Sequence, residues 1–189
     1  MIAKLPRMGL ISLGVVFVLD QFVKWLVTGP IGLSEQGSTK DVLPFFQLTN
    51  VHNQGVSLGF LRAGSVTSSW ALVALTGAIA IAVLVWMWRE QNRQDQVALG
   101  MIAGGAFGNI LDRVRLFDIV CDEKQVCHKL GYVQDYANLH IGTWQPFLNF
   151  NLADAAITIG VLILLARALL VRDKKGPRPE ASETENSNA

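Results

Sequence analysis

Four stretches of the chain are almost purely apolar and about 20 residues long, enough to cross a bilayer as helices. They fall at residues 8–27, 67–88, 97–116 and 150–171. Two long polar-rich segments, 28–66 and 117–149, and one short one separate them. In the first long segment, Phe45, Phe46, Leu48 and Val51 stand among polar residues of the run DVLPFFQLTNVHN, which predicts one or two short strands lying on the membrane surface. The second contains a β-like run at 132–136. The pattern predicts an all-α membrane protein of four transmembrane helices with a small extracytoplasmic β-rich cap. Residues 1–172 form that one domain. The polar tail 173–189, with its Pro, Ser, Glu and Asn, is expected to be disordered.

Composition agrees. Of 189 residues 51% are hydrophobic and only 16% charged, which is far from a soluble globular domain. The net charge of +1 gives no bulk field to draw nucleic acid or an acidic partner. Lys4 and Arg7 precede the first span, and a signal peptide starts in the same way. Asp20 and Lys24 interrupt its later residues, and there is no small-x-small cleavage site, so a retained span is expected. Arg89 and Arg93 lie between spans two and three, and Arg172, Lys174, Lys175 and Arg178 come after span four. These places share one side, so both termini are expected to be cytoplasmic and the two long segments outward. Lys40, Arg62, Lys124 and Lys129 weaken that bias without reversing it. Trp70, Trp86 and Trp88 sit near the ends of span two, as in an aromatic belt. Cys121 and Cys127 then face an oxidising compartment, where a disulfide and two free thiols both remain open.

The polar residues within apolar context carry the chemistry. Asp20 and Lys24 are four apart on span one, acid first, and read as a structural ion pair. Gly100, Gly104 and Gly108 recur on span three with Gly105 beside them, a stripe that admits close approach of another helix. Asn109, Asp112 and Arg113 end that span; Asn151 and Asp154 begin span four. Alone, Asp154 reads equally as a capping acid in a first helical turn or as a functional intramembrane carboxylate. Topology brings all of these to the outer side, where Asp135 arrives from the loop. Two carboxylates meeting at a water-poor site share one proton, and such a pair can activate water. The turn Asn53-Gln54-Gly55 allows a tight course or a ligand's approach. His52 has no partner at ligand spacing, and no metal site is expected.

The blocks Asn53-Gln54-Gly55, GGAFGNILDR (104–113), Val133-Gln134-Asp135-Tyr136 and FNLADAAITIG (150–160), with Asp20-Gln21-x-x-Lys24, together resemble bacterial lipoprotein signal peptidase, signal peptidase II. The resemblance spans about residues 20–160. It implies an intramembrane aspartic endopeptidase of the bacterial inner membrane, with its active site near the outer leaflet. Such an enzyme needs no cofactor. It cuts the signal peptide from prolipoproteins just before the diacylglyceryl-modified cysteine, works among membrane lipid, and is inhibited by globomycin-type cyclic peptides. It also implies a catalytic dyad of Asp135 and Asp154. Asn53, Gly105, Asn109, Asp112, Arg113 and Asn151 would bind substrate or support the dyad. Within that set Arg113 and Asn109 are expected to position the substrate backbone and Asn151 to orient the dyad. Two departures stand out. The segment 115–131 is longer than the family's, and its Asp118 and Asp122 are expected to be solvated. Tyr136 stands where Phe is usual, and Gln134 where an apolar residue is usual. A transporter would need polar residues along a whole path, whereas here they cluster at one end. A lipid-binding subunit would explain the glycine stripe but not the meeting acids.

Overall fold

The computed structural model describes residues 5–55, 66–121, 127–142, 144–146 and 148–172, with side chains through 170. The tail expected to be disordered and Asp122 lie outside these residues. Four helices are long and apolar enough to cross a membrane: α1 (Arg7–Thr28), α2 (Val66–Arg89), α3 (Arg93–Arg115) and α4 (Leu152–Arg172). Five strands join them: β1 (Thr39–Leu43), β2 (Phe46–Asn53), β3 (Phe117–Cys121), β4 (Cys127–Gly131) and β5 (Val133–Leu139).

The helix bounds differ from the hydropathy pattern where a polar side chain caps the helix. α3 begins at Arg93 rather than 97 because the Asn92 side chain accepts from the backbone N–H groups of Gln94 and Asp95. α4 begins at Leu152 rather than 150 because Asn151 caps it in a similar way. α3 is the least apolar of the four, with a mean hydropathy of 1.2, yet half of it is buried, against 22% or less for the others. It is the central helix, packed by α1, α2 and α4. Its polar and small residues therefore face protein rather than lipid. A Cβ on Gly104 would stand 2.6 Å from the Leu13 carbonyl oxygen, and one on Gly105 2.5 Å from that of Ala153. The stripe thus seats α1 on one side, and Gly105 seats α4 on the other. Arg167, the lone charge between Ala155 and Val171, is tied to the Asp95 and Gln94 side chains of α3.

β1, β2 and β5 form one antiparallel sheet in that order. β2 pairs with β5 so that Val51 faces Asp135 and Asn53 faces Val133. β3 and β4 form a separate antiparallel hairpin in the long segment where solvated loop was expected. Cys121, the last residue of β3, and Cys127, the first of β4, are opposite one another and are disulfide-bonded.

Candidate active site

Asp154 is fixed by the start of α4. Asn151 is the residue before the helix, and its Oδ1 accepts the Asp154 N–H at 2.9 Å, while Asp154 Oδ2 accepts the Asn151 N–H at 3.3 Å. This is a reciprocal capping box, with Asn and Asp in the roles usually taken by Ser and Glu. The next orphan donors are met from elsewhere: Leu152 N–H by the Tyr136 hydroxyl at 3.0 Å, Ala153 N–H by Asp20 Oδ1 at 3.1 Å. Burial raises the Tyr136 phenol well above its ordinary pKa, so it serves this N–H as a neutral hydroxyl. Asp154 is thus a capping acid, and the other oxygen of its carboxylate accepts the Asn109 Nδ2 donor at 2.8 Å.

Asp135 comes from the middle of β5. It is 1% exposed, and both its oxygens accept amide N–H groups: Oδ1 from Asn151 Nδ2 at 2.7 Å, Oδ2 from Asn53 Nδ2 at 2.9 Å. Asn151, fully buried, therefore touches both carboxylates, Asp135 through its side-chain N–H and Asp154 through its backbone N–H. Burial pushes the Asp135 carboxyl up to about 7, and the Asp154 charge adds to the rise; Asn53, Asn151 and Lys24 only partly offset it.

Lys24 stands behind this pair. Its Nζ lies 2.7 Å from Asp20 Oδ2 and 2.7 Å from Asp112 Oδ2, with all three side chains buried. The expected pair is a triad, completed by Gln21 Nε2 donating to Asp112 Oδ1 at 3.1 Å and Gln134 N donating to Asp112 Oδ2 at 3.3 Å. Gly108 lets it form, since a Cβ there would come within 2.6 Å of Asp20 Oδ2. Arg113 directs its guanidinium at the chain's own turn, donating to the carbonyls of Asn53 (3.5 Å) and Gly55 (2.5 Å).

A family model described as signal peptidase II matches residues 12–170, most of the chain. The chain belongs to the signal peptidase II family. The lipoprotein signal peptidase of Rhizorhabdus wittichii is 52% identical over 163 residues, 86% of each chain, and that of Sphingopyxis alaskensis 49% identical over 170 residues, 90% of each. The fold is similar to those of two bacterial membrane enzymes. One has a TM-score of 0.68 at 24% identity, covering 92% of this chain and 93% of the other. The second has a TM-score of 0.65 at 27% identity, covering 85% and 92%. Membership makes this chain a membrane protease that removes signal peptides from prolipoproteins.

In this signal peptidase the residues singled out from sequence converge on one site. Asp135, Asp154, Asn53, Asn109 and Asn151 are linked by hydrogen bonds. Asp20, Lys24 and Asp112 form the ionic layer behind them, and Gly105 is packing between α3 and α4. Sequence reasoning left Gln21, Gln134 and Tyr136 without a role. The last two were visible only as departures from the family's usual residues: the Tyr136 hydroxyl accepts the Leu152 N–H, and the Gln134 side chain donates to the Lys24 carbonyl at 3.5 Å. Asp118, expected to be solvated, is only 22% exposed in its side chain and is bonded to His52 and Gln54.

Proposed function

We propose that this signal peptidase is an aspartic endopeptidase whose catalytic pair is Asp135 and Asp154. The observation that carries this reading is Asn151, which holds the two carboxyl groups of β5 and α4 together in a buried setting. Two acids so held cannot both ionise readily, and the pair keeps one proton between them near neutral pH. Its ionised member takes a proton from water, which attacks the scissile carbonyl. The protonated member donates to the carbonyl oxygen and then assists the leaving amine. The scissile bond is the one before the diacylglyceryl-modified cysteine of a prolipoprotein. The lipid chains lie between helices in the bilayer, and globomycin-type peptides compete for the same place. Both termini are cytoplasmic and the pair lies near the outer leaflet. The placement of Lys and Arg supports this orientation, and so does the Cys121–Cys127 disulfide, a bond of oxidising compartments.

The test is cleavage of a lipidated prolipoprotein by purified enzyme. Asp135→Asn and Asp154→Asn should each abolish it, because an amide neither accepts the water's proton nor shares one with its neighbour. Release of signal peptide by Asp154→Asn at the wild-type rate would refute the aspartic mechanism.

A further inference from the structure

The hairpin β3–β4 carries one side chain that reaches the end of β2 beside the site. Asp118 uses both carboxylate oxygens on the end of β2. Oδ1 lies 2.9 Å from His52 Nδ1, and Oδ2 accepts from Gln54 Nε2 at 2.9 Å. These two residues flank Asn53, whose Nδ2 donates to Asp135. The Tyr132 ring stacks on His52, with centroids 3.8 Å apart and planes within 9°. The β2–β5 ladder ends at Asn53 opposite Val133, so the turn beyond it takes its support from other contacts. Arg113 holds the carbonyls of Asn53 and Gly55, and Asn53 Oδ1 accepts the Gly55 N–H at 3.0 Å. Asp118 adds to that support by holding the side chains of His52 and Gln54.

We propose that Asp118 is a positioning residue for the reaction: through His52 and Gln54 it fixes the end of β2 so that Asn53 stays aimed at Asp135. The proposal rests on the reading of Asp135 as a member of the catalytic pair. A carboxylate suits the place because it accepts from two donors at once. The disulfide closes the hairpin at its far end, three residues beyond Asp118.

The experiment uses the full-length enzyme and a lipidated prolipoprotein. Asp118→Ala should lower kcat about tenfold, as expected for a loosened contact to a reacting group, with KM changed much less. Because the Asn53 N–H favours the ionised Asp135, the member of the pair that keeps its proton up to about 7, the alkaline limb of the kcat profile should move to higher pH. Asp118→Asn should restore most of the rate, since an amide can accept from Gln54 and donate to an unprotonated His52 Nδ1. In an Asn53→Ala background, Asp118→Ala should add almost nothing, because the two act as one unit. Unfolding midpoints of the variants, measured in parallel, separate positioning from collapse of the fold. Wild-type kcat and pH profile in Asp118→Ala would overturn the proposal. Full additivity with Asn53→Ala would do the same. An active Asp135→Asn would instead refute the dyad reading itself.

Discussion

Replacing Asp135 by Asn should stabilise the protein at neutral pH while destroying its activity. The buried carboxyl ionises only at about 7 in the fold, against an ordinary value of 3.8. A raised carboxylate stabilises nothing when ionised. Below the ordinary value it is protonated in both folded and unfolded chains, and there is no penalty. As pH rises from about 4 to 7, the unfolded chain releases a proton that the folded one retains, and stability falls. Above 7 the loss is complete. Its size is the difference of about 3 units times 1.36 kcal/mol, or about 4 kcal/mol. The Asp135→Asn variant would lack this penalty. It would lose one of the two amide contacts, since the new NH2 must face either Asn53 or Asn151, at a pH-independent cost of about 1–3 kcal/mol. The variant should therefore be the less stable protein at pH 4 and the more stable one at pH 8. The difference between the two should swing by about 4 kcal/mol over that interval. Denaturant unfolding in detergent, at half-unit steps of pH, measures this swing. Groups shared by both proteins cancel, and relief of Asp154 from a like-charged neighbour acts in the same direction. A difference that stays flat from pH 4 to 8, or that swings the other way, would show that Asp135 is not held protonated by its surroundings.

Other perturbations test the layers behind the pair. Lys24→Met should cost about 3–5 kcal/mol of stability, because it leaves Asp20 and Asp112 buried without their shared cation; adding Asp20→Asn should recover part of the loss in the same unfolding assay. Gly108→Ala puts a methyl 2.6 Å from Asp20 Oδ2, so the carboxylate must give up its place beside Lys24 or α1 must shift from α3, and both the unfolding midpoint and the cleavage rate should fall. A membrane-impermeant thiol reagent should label neither Cys121 nor Cys127 in intact spheroplasts and both after impermeant reductant. Labelling before reduction would refute the disulfide in the native protein, and failure to label after it would refute the outward orientation.

The spans were legible because a bilayer demands about 20 apolar residues whatever the tertiary structure. Their ends were less so. α3 and α4 start where Asn92 and Asn151 can turn a side-chain oxygen onto the next N–H groups, and hydropathy does not weigh that geometry. The site was legible as a set of polar groups at one end of the spans, with its two acids named through the family resemblance. The partners of each acid were not legible. Asp135 meets Asn53 across 82 residues of chain and Asn151 across 16, and no periodicity links such positions. The β3–β4 hairpin had a usable signal. Phe117 and Ile119 alternate with Asp118, and two cysteines stand six apart, the arrangement of opposed residues closing a hairpin. Reading the segment as solvated insert hid Asp118 from consideration as a partner for His52.

On the proposed aspartic mechanism, the choice of amides around the pair follows from what the pair must do. A cation in contact with both carboxylates would favour ionisation of both, and the shared proton would be lost. Here the Lys24 charge is taken up by Asp20 and Asp112, at 2.7 Å each. Its influence reaches Asp154 through Asn109, whose Oδ1 faces Lys24 Nζ at 3.4 Å and whose Nδ2 faces Asp154 Oδ1 at 2.8 Å. The lysine thereby settles which way that amide points. Asn109 Oδ1 and the Gln134 carbonyl together face Asn151 Nδ2, at 3.3 and 3.4 Å, which leaves that nitrogen donating to Asp135 and not its oxygen accepting there. Each carboxylate is thus oriented by N–H groups that belong to neutral side chains or to backbone, in a hierarchy that begins at one buried ammonium. Orientation without neutralisation is what lets two acids remain a proton-sharing pair, and it explains why asparagine recurs at 53, 109 and 151 where lysine or arginine would bind a carboxylate more tightly.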